Sequence, residues 1–167
     1  MRLHSKSRTQ GKRSGAAAVE FAVIAPLLGM MIIGMLELGR GIMVKEVLTD
    51  AARKACRTAA YPGQTFANAD SDARDILKDN FGATVATSTN TKVTVQVAAN
   101  SGVWTARPTN WNTASSGSDY VASANQGDLI WVSVSVRVDD VGWVFGWFLS
   151  RAVTDIESEN VYMVRQG

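Results

Sequence analysis

The chain has 167 residues, of which 46 % are hydrophobic and 19 % charged, with 17 basic against 15 acidic side chains. That composition excludes a disordered polyelectrolyte and a coiled coil, and a formal charge of +2 argues against a dedicated nucleic-acid binder. The charge is unevenly placed: Arg2, Lys6, Arg8, Lys12 and Arg13 crowd the first 15 residues without an acid, leaving 12 basic against 15 acidic groups on the other 152. A basic tip on a mildly acidic body points to membrane topology.

Directly after the tip, Phe21 to Leu36 is sixteen residues without a charge, and Ala16–Val19 extends the apolar character back across Glu20. The 21 residues from Ala16 to Leu36 would span about 30 Å as a helix, the thickness of a hydrocarbon core. No polar face interrupts them, as one would in a water-soluble surface helix. The basic side stays in the cytoplasm, which sends residues beyond about 40 across the membrane. Two other readings of the stretch are a cleaved secretory signal and a buried core helix. The first fits poorly, because Glu37-Leu38-Gly39-Arg40-Gly41 is no small-residue cleavage site and the periodic pattern continues past it. Pro26 lacks a backbone donor and crowds the carbonyl of Ala22, so a mild kink is expected there. Gly29 and Gly34 leave notches where another apolar helix can approach, although their spacing is not the four-residue dimer motif. Glu20 either marks the headgroup boundary or awaits a positive partner. An unpaired carboxylate at the bilayer centre costs roughly 2.5–3.5 kcal/mol on insertion scales, and less near the interface.

Beyond the membrane segment, Val44, Val47, Leu48, Ala51, Ala52, Ala55 and Ala59 recur at three- and four-residue intervals, with Lys45, Glu46, Asp50, Arg53, Lys54 and Arg57 on the other side. This is an amphipathic helix. Tyr61-Pro62-Gly63 terminates it, so one continuous helix of about 44 residues, roughly 66 Å long, is expected from about Ala17 to Ala60. Asp50 precedes Lys54 at i+4, a pairing worth a few tenths of a kcal/mol. Cys56 is the only cysteine and can form no intrachain disulfide; it is either buried beside the alanines or paired between chains.

Residues 64–80 read as a short acidic helix with Ala73, Ile76, Leu77 and Phe81 on its buried face. Lys92–Ala98 alternates as a strand with Val93, Val95 and Val97 on one side. Residues 100–127, rich in Ser, Asn, Gly and Thr and carrying Trp104, Trp111 and Tyr120, read as a variable insertion or exposed surface. Asp128–Asp139 is the clearest strand: Ile130, Val132, Val134, Val136 and Val138 face one way, and Trp131, Ser133, Ser135 and Arg137 the other. Such a half-buried pattern predicts an antiparallel sheet with one face covered, and the Val44–Ala59 helix is the natural cover. Gly142–Leu149 is too short to span a bilayer and fits core, a subunit contact or an outer-leaflet contact. Ala152–Arg165 reads as a final strand, with Thr154, Ile156, Ser158, Asn160, Tyr162 and Val164 in alternation. The expected fold is α+β: a long N-terminal helix, membrane-spanning below and amphipathic above, packed on a C-terminal antiparallel sheet.

Gly15-Ala16-Ala17-Ala18-Val19-Glu20-Phe21-Ala22, then an apolar stretch with Pro26, then Glu37-Leu38-Gly39-Arg40, resembles the TadE-like family of pilin-related proteins of the tight-adherence pilus machinery. The resemblance covers about residues 14 to 60. It implies a pilin-like fold and cleavage by a prepilin peptidase after Gly15 on the cytoplasmic face, with Ala16 as the new N-terminus. The new α-amine, cationic near neutral pH, could pair with Glu20 of a neighbouring subunit and set an axial register. The expected organisation is a basic cytoplasmic leader over 1–15, a transmembrane helix over 16–38, its amphipathic extension over 39–60 and an extracytoplasmic α+β domain over 61–167. The resemblance also implies the bacterial cytoplasmic membrane as location.

No catalytic constellation emerges. The single histidine, His4, lies in the expected leader, so a histidine triad or a histidine zinc site is not expected in the mature chain. Gly11-Lys12 lacks the glycines of a phosphate loop, and Asp139-Asp140 and Asp70/Asp72 read as a turn and a solvated face rather than a cation site. The chain is therefore expected to be no enzyme, to need no cofactor or metal and to bind no nucleic acid. Its expected partners are prepilin peptidase, other pilin or pseudopilin subunits and membrane lipid. The leading expectation is a minor pilin-like assembly component whose helices pack through Gly29, Gly34 and the apolar surface, while Val44, Val47, Leu48, Ala51 and Ala55 hold the ectodomain. The alternative is an uncleaved single-pass protein whose ectodomain binds a ligand or partner.

Overall fold

A computed structural model describes residues 11–99, 112–114, 119–141 and 154–167. The first helix, α1, runs from Gly11 to Ala60 without a break and carries Pro26 inside it. It begins within the basic segment, earlier than the expected Ala17. The chain divides into two compact units at Gly39/Arg40, each taken by itself below.

The first unit is the apolar part of α1. Val19, Phe21, Val23, Ile24, Leu27, Leu28, Met30, Met31 and Leu36 are all exposed. A soluble core helix would bury such residues, yet the apolar window of α1 is 0 % buried. Among the described residues this helix alone is long and apolar enough to cross a membrane.

The second unit is an α+β domain. Within it, the Arg40–Ala60 part of α1 presents the expected stripe: Val44, Leu48, Ala51, Ala52, Ala55, Cys56, Ala59 and Ala60 are buried in a single core, with Val47 packed against it. The helix stops at Tyr61-Pro62-Gly63, where Gly63 takes a φ of +74° that only glycine adopts without strain. Thr65 caps α2 (Phe66–Phe81) by accepting from the Asn68 amide at 3.4 Å. Ala69, Ala73 and Leu77 of α2 are buried, and Ile76 and Phe81 pack on the same core. A short helix, α3 (Ala83–Thr87), follows directly and was not anticipated from the sequence.

The sheet lies against this helical layer. Strand β1 (Lys92–Ala98) pairs antiparallel with β3 (Leu129–Arg137), from Lys92↔Ser135 to Ala98↔Leu129. In β3 the alternation is as read from the sequence: Ile130, Val132, Val134 and Val136 are all 0 % exposed, facing the α1 stripe in the common core. The strand ends at Arg137, and Val138–Val141 turns away as one 3₁₀ turn.

Three expectations are corrected. The 100–127 segment is not wholly an exposed insertion. Asn112–Ala114 forms a short strand, β2, antiparallel to β1, and Val121 is fully buried in the core. The final strand is two pieces, β4 (Asp155–Glu157) and β5 (Val161–Val164), both antiparallel to β3. Glu157 pairs with Ser135 but Val161 with Val132, so four steps along the outer strand match three along β3. That extra residue is a β-bulge, which reverses side-chain parity beyond it. Ile156 therefore packs inward, but so do Val161 and Met163, while Tyr162 and Val164, expected on the same face as Ile156, are exposed. Lastly, Asp50 pairs with Arg53 at i+3 (3.1 Å), and Lys54 turns to Asp72 of α2 (3.1 Å). The Gly142–Leu149 stretch, Trp104 and Trp111 lie outside the described residues.

Candidate functional site

The residues singled out for processing and assembly all lie on α1. Gly15 and Ala16 are exposed, and their peptide bond sits in helix, five residues from the start of α1. Presenting that bond to a protease in extended form thus requires the first turns to unwind. A glycine lowers the cost, since it is about 1 kcal/mol less favourable than alanine in a helix interior. A Cβ added at Gly15 meets nothing within 4 Å, so its smallness serves no contact inside this chain.

Glu20 is exposed and is the sole charged residue between Gly15 and Leu36. Gly29 and Gly34 likewise face open space, with nothing within 4 Å of an added Cβ. Their notches are fully available to another molecule.

The second group holds the domain on the helix. Val44, Leu48, Ala51 and Ala55 are buried at 0–1 % exposure, and Val47 is half-buried at the margin. Polar links that the sequence did not announce reinforce this seam. The Thr49 hydroxyl donates to the Lys45 carbonyl (2.8 Å) and accepts from the Glu159 amide (3.2 Å), which ties the helix to the bulge. Ser158 stands at the bulge itself. Its amide donates to the Val134 carbonyl (2.8 Å), and its hydroxyl accepts from the Val134 amide (3.0 Å). Arg165, 5 % exposed, donates to the Ala59 carbonyl, and the Gln166 amide donates to the Ala60 carbonyl (3.0 Å). The two residues after β5 (Val161–Val164) thereby satisfy two of the orphan carbonyls at the end of α1, with a cation where the helix dipole favours one. At the other end of the seam the Arg40 guanidinium donates to the Val141 carbonyl (2.9 Å).

Cys56 is enclosed, its thiol 3.8 Å from the carbonyl oxygens of Ile130 and Val161, and burial pushes it up to about 12. It presents no reactive thiolate and no surface sulfur for an interchain bond. The acidic residues considered as cation ligands have other company. Asp70 pairs with Arg74 (2.8 Å), and Asp140 accepts from Ser88 (2.7 Å) and Asn90 (3.3 Å). Asp72 accepts from Thr58 (2.5 Å) and pairs with Lys54; the Thr58 hydroxyl, then Lys54, hold its carboxyl below the ordinary 3.8 against the opposing effect of burial. Asp119 was not foreseen either. Both its oxygens take the Phe66 amide (3.0 Å each), closing the start of α2. Its signal in the sequence is faint, an aspartate two residues before a valine in a Ser/Gly-rich run.

Compared with known proteins, the chain matches no curated protein and no solved structure. The family model described as TadE-like protein matches residues 15–57, that is, the whole apolar stretch with Glu20 and the buried stripe through Cys56, and stops before the sheet. Over that segment the chain is similar to the TadE-like family.

Proposed function

We propose that the protein is a membrane-anchored, pilin-like structural component of a pilus or secretion assembly, with its α+β domain outside the cytoplasm and its leader removed by a prepilin peptidase after Gly15. The observation that carries this reading is α1: one unbroken helix, bare and apolar in its first half and the core of a domain in its second. A secretory signal would be cut away, whereas cutting α1 beyond Leu38 would leave the domain's main core helix with a raw end. The TadE-like match over residues 15–57 supports the assignment to pilus-related machinery. Glu20, alone in the apolar stretch, is the group that a new α-amine on Ala16 of a neighbouring subunit would neutralise, which removes the cost of two unpaired charges in lipid. The chain acts in this reading as substrate and building block, not as an enzyme.

Intact-mass analysis of the protein from cells with and without the peptidase tests the proposal. Loss of residues 1–15 only in the presence of the enzyme is expected, and Gly15→Ala, which meets no obstacle in the fold, should block the cut. Retention of the full leader in both backgrounds refutes processing and favours the alternative, an uncleaved single-pass protein with a partner-binding ectodomain. Glu20→Gln should leave cleavage intact but reduce recovery of the protein in assembled complexes. Equal incorporation of both forms refutes the charge pairing.

A further inference from the structure

Where α1 ends and α2 begins, Thr58, Tyr61, Gln64, Asn68, Ser71 and Asp72 surround a recess of about 380 Å³. Its lining differs from that of a typical small-molecule pocket, which is predominantly apolar. Here one aromatic ring, half exposed, stands beside two amides, two hydroxyls and a carboxylate. The amides are paired: the Asn68 side-chain nitrogen donates to the oxygen of Gln64, four residues earlier, at 2.7 Å. That bond leaves the Gln64 NH₂ and the Asn68 oxygen for a ligand, in a lining that also holds the Ser71 hydroxyl. Asp72 is fixed by Thr58 on one oxygen and Lys54 on the other, and each oxygen keeps a second lone pair.

The electrostatics narrow the ligand class. The carboxylate disfavours an anion, and the nearby N-terminus of α2 offers no substitute site, because Asp119 already occupies its first amide. Lys54 offsets the charge of Asp72, which removes the drive to bind a cation. What remains is a neutral ligand with many hydroxyl groups and one apolar face. We propose that this recess is a saccharide-binding subsite, in which Tyr61 stacks on the face of a sugar ring while Gln64, Asn68, Ser71 and Asp72 hydrogen-bond its hydroxyls. The chemistry is that of an amphipathic ring against an amphipathic side chain, with alternating donors and acceptors matching vicinal hydroxyls. The proposal stands whether or not the chain is cleaved after Gly15, since every residue it uses lies beyond Leu38.

The test is saturation-transfer NMR on the full chain in phosphocholine micelles, with maltotriose and tri-N-acetylchitotriose as probes; sugar-headed detergents are avoided because they would compete. Saturable binding of at least one trisaccharide is expected. Tyr61→Ala should weaken it about tenfold, the scale of one lost aromatic stack, while Tyr61→Phe keeps most of it. Asn68→Ala should weaken it by a smaller factor with an unchanged thermal midpoint, because Asn68 is exposed. Absence of saturable binding by either trisaccharide overturns the proposal, as does binding that survives both Tyr61→Ala and Asn68→Ala.

Discussion

The seam between α1 and the sheet is built from small residues, and enlarging one of them tests whether the approach is as close as it looks. Ala51, Ala52, Ala55 and Ala59 are each 0 % exposed, in one core with valines of β3 that are also 0 % exposed. Ala55→Leu inserts three carbons where the core has no room to receive them. Overpacking typically costs about 1–3 kcal/mol, and three carbons at a fully enclosed core position belong at the top of that range, about 3 kcal/mol. Against a total stability of about 5–15 kcal/mol this is a large fraction. Arg57→Leu, on the exposed face of the same helix, should stay within about 0.5 kcal/mol of wild type. The assay is urea unfolding of the full chain in micelles, followed by tryptophan fluorescence, for which Trp131 on β3 is a local reporter. With a slope of about 1–3 kcal/mol/M, the midpoint for Ala55→Leu should fall by about 1–3 M at constant slope. Leu48→Ala gives the opposite perturbation at the same seam, a cavity, and should cost about 2–5 kcal/mol. If Leu48→Ala destabilises but Ala55→Leu does not, the core has room beside the alanine stripe and the close-packing argument fails.

Ser158→Ala leaves the Val134 amide without the hydroxyl that accepts from it, in a residue that is 0 % exposed. A loss of about 1–3 kcal/mol is expected, with faster hydrogen exchange at the Val134 amide; unchanged protection there would show that the hydroxyl is not the partner. Asp72 supplies an acid-sensitive contribution. Its carboxyl titrates below 3.8 in the fold, so the unfolded chain takes up the proton first. Its contribution is therefore full above the ordinary value and is lost as pH falls through 3.8 and below. Asp72→Asn should flatten that part of the acid limb of a pH–stability curve, and an identical limb in the variant would remove Asp72 from it. Cys56, buried with its thiol pushed up to about 12, should resist iodoacetamide at pH 8 in the native protein and react in urea. Native labelling at the rate of a free thiol would contradict the enclosure.

Elements with one strong period were readable from the sequence. The α1 stripe and the alternation of Ile130, Val132, Val134 and Val136 in β3 each follow from burying one face of a regular element, and the structure buries those residues; Val138, read as the fifth of the series, is buried too but in the 3₁₀ turn after the strand. The inward face of α2 was read through Ala73, Ile76, Leu77 and Phe81, and missed Ala69, whose small side chain adds little to a hydropathy pattern. The bulge at Ser158 could not be read, because parity reasoning assumes a constant step of two and one added residue breaks it. The added residue alone turns Tyr162 and Val164 outward. Asp119 and Arg165 stayed hidden because their partners, the Phe66 amide and the Ala59 carbonyl, are backbone groups 53 and 106 positions away. Gly15, Glu20, Gly29 and Gly34 are the reverse case. They stand out in the sequence, yet Glu20 is exposed and a Cβ added at Gly15, Gly29 or Gly34 meets nothing within 4 Å.

Residue size along α1 carries the same division of labour. In the bare stretch the side chains are large and flexible or branched, with Phe21, Ile24, Leu27, Leu28, Met30, Met31, Ile32 and Ile33 exposed in the chain taken by itself. In the domain stripe they shrink to alanine from Ala51 onward. Small residues suit a fixed sheet at a single distance, because a close-packed contact tolerates little change in volume. Large residues suit lipid, where van der Waals contact is made with chains that conform to any shape, and there Gly29 and Gly34 leave open space beside the backbone. Substituting Gly29 or Gly34 by leucine should consequently leave the folding of the α+β domain untouched and change only what α1 does with another helix. The alanine stripe has no such freedom: its volume is read by the sheet of its own chain.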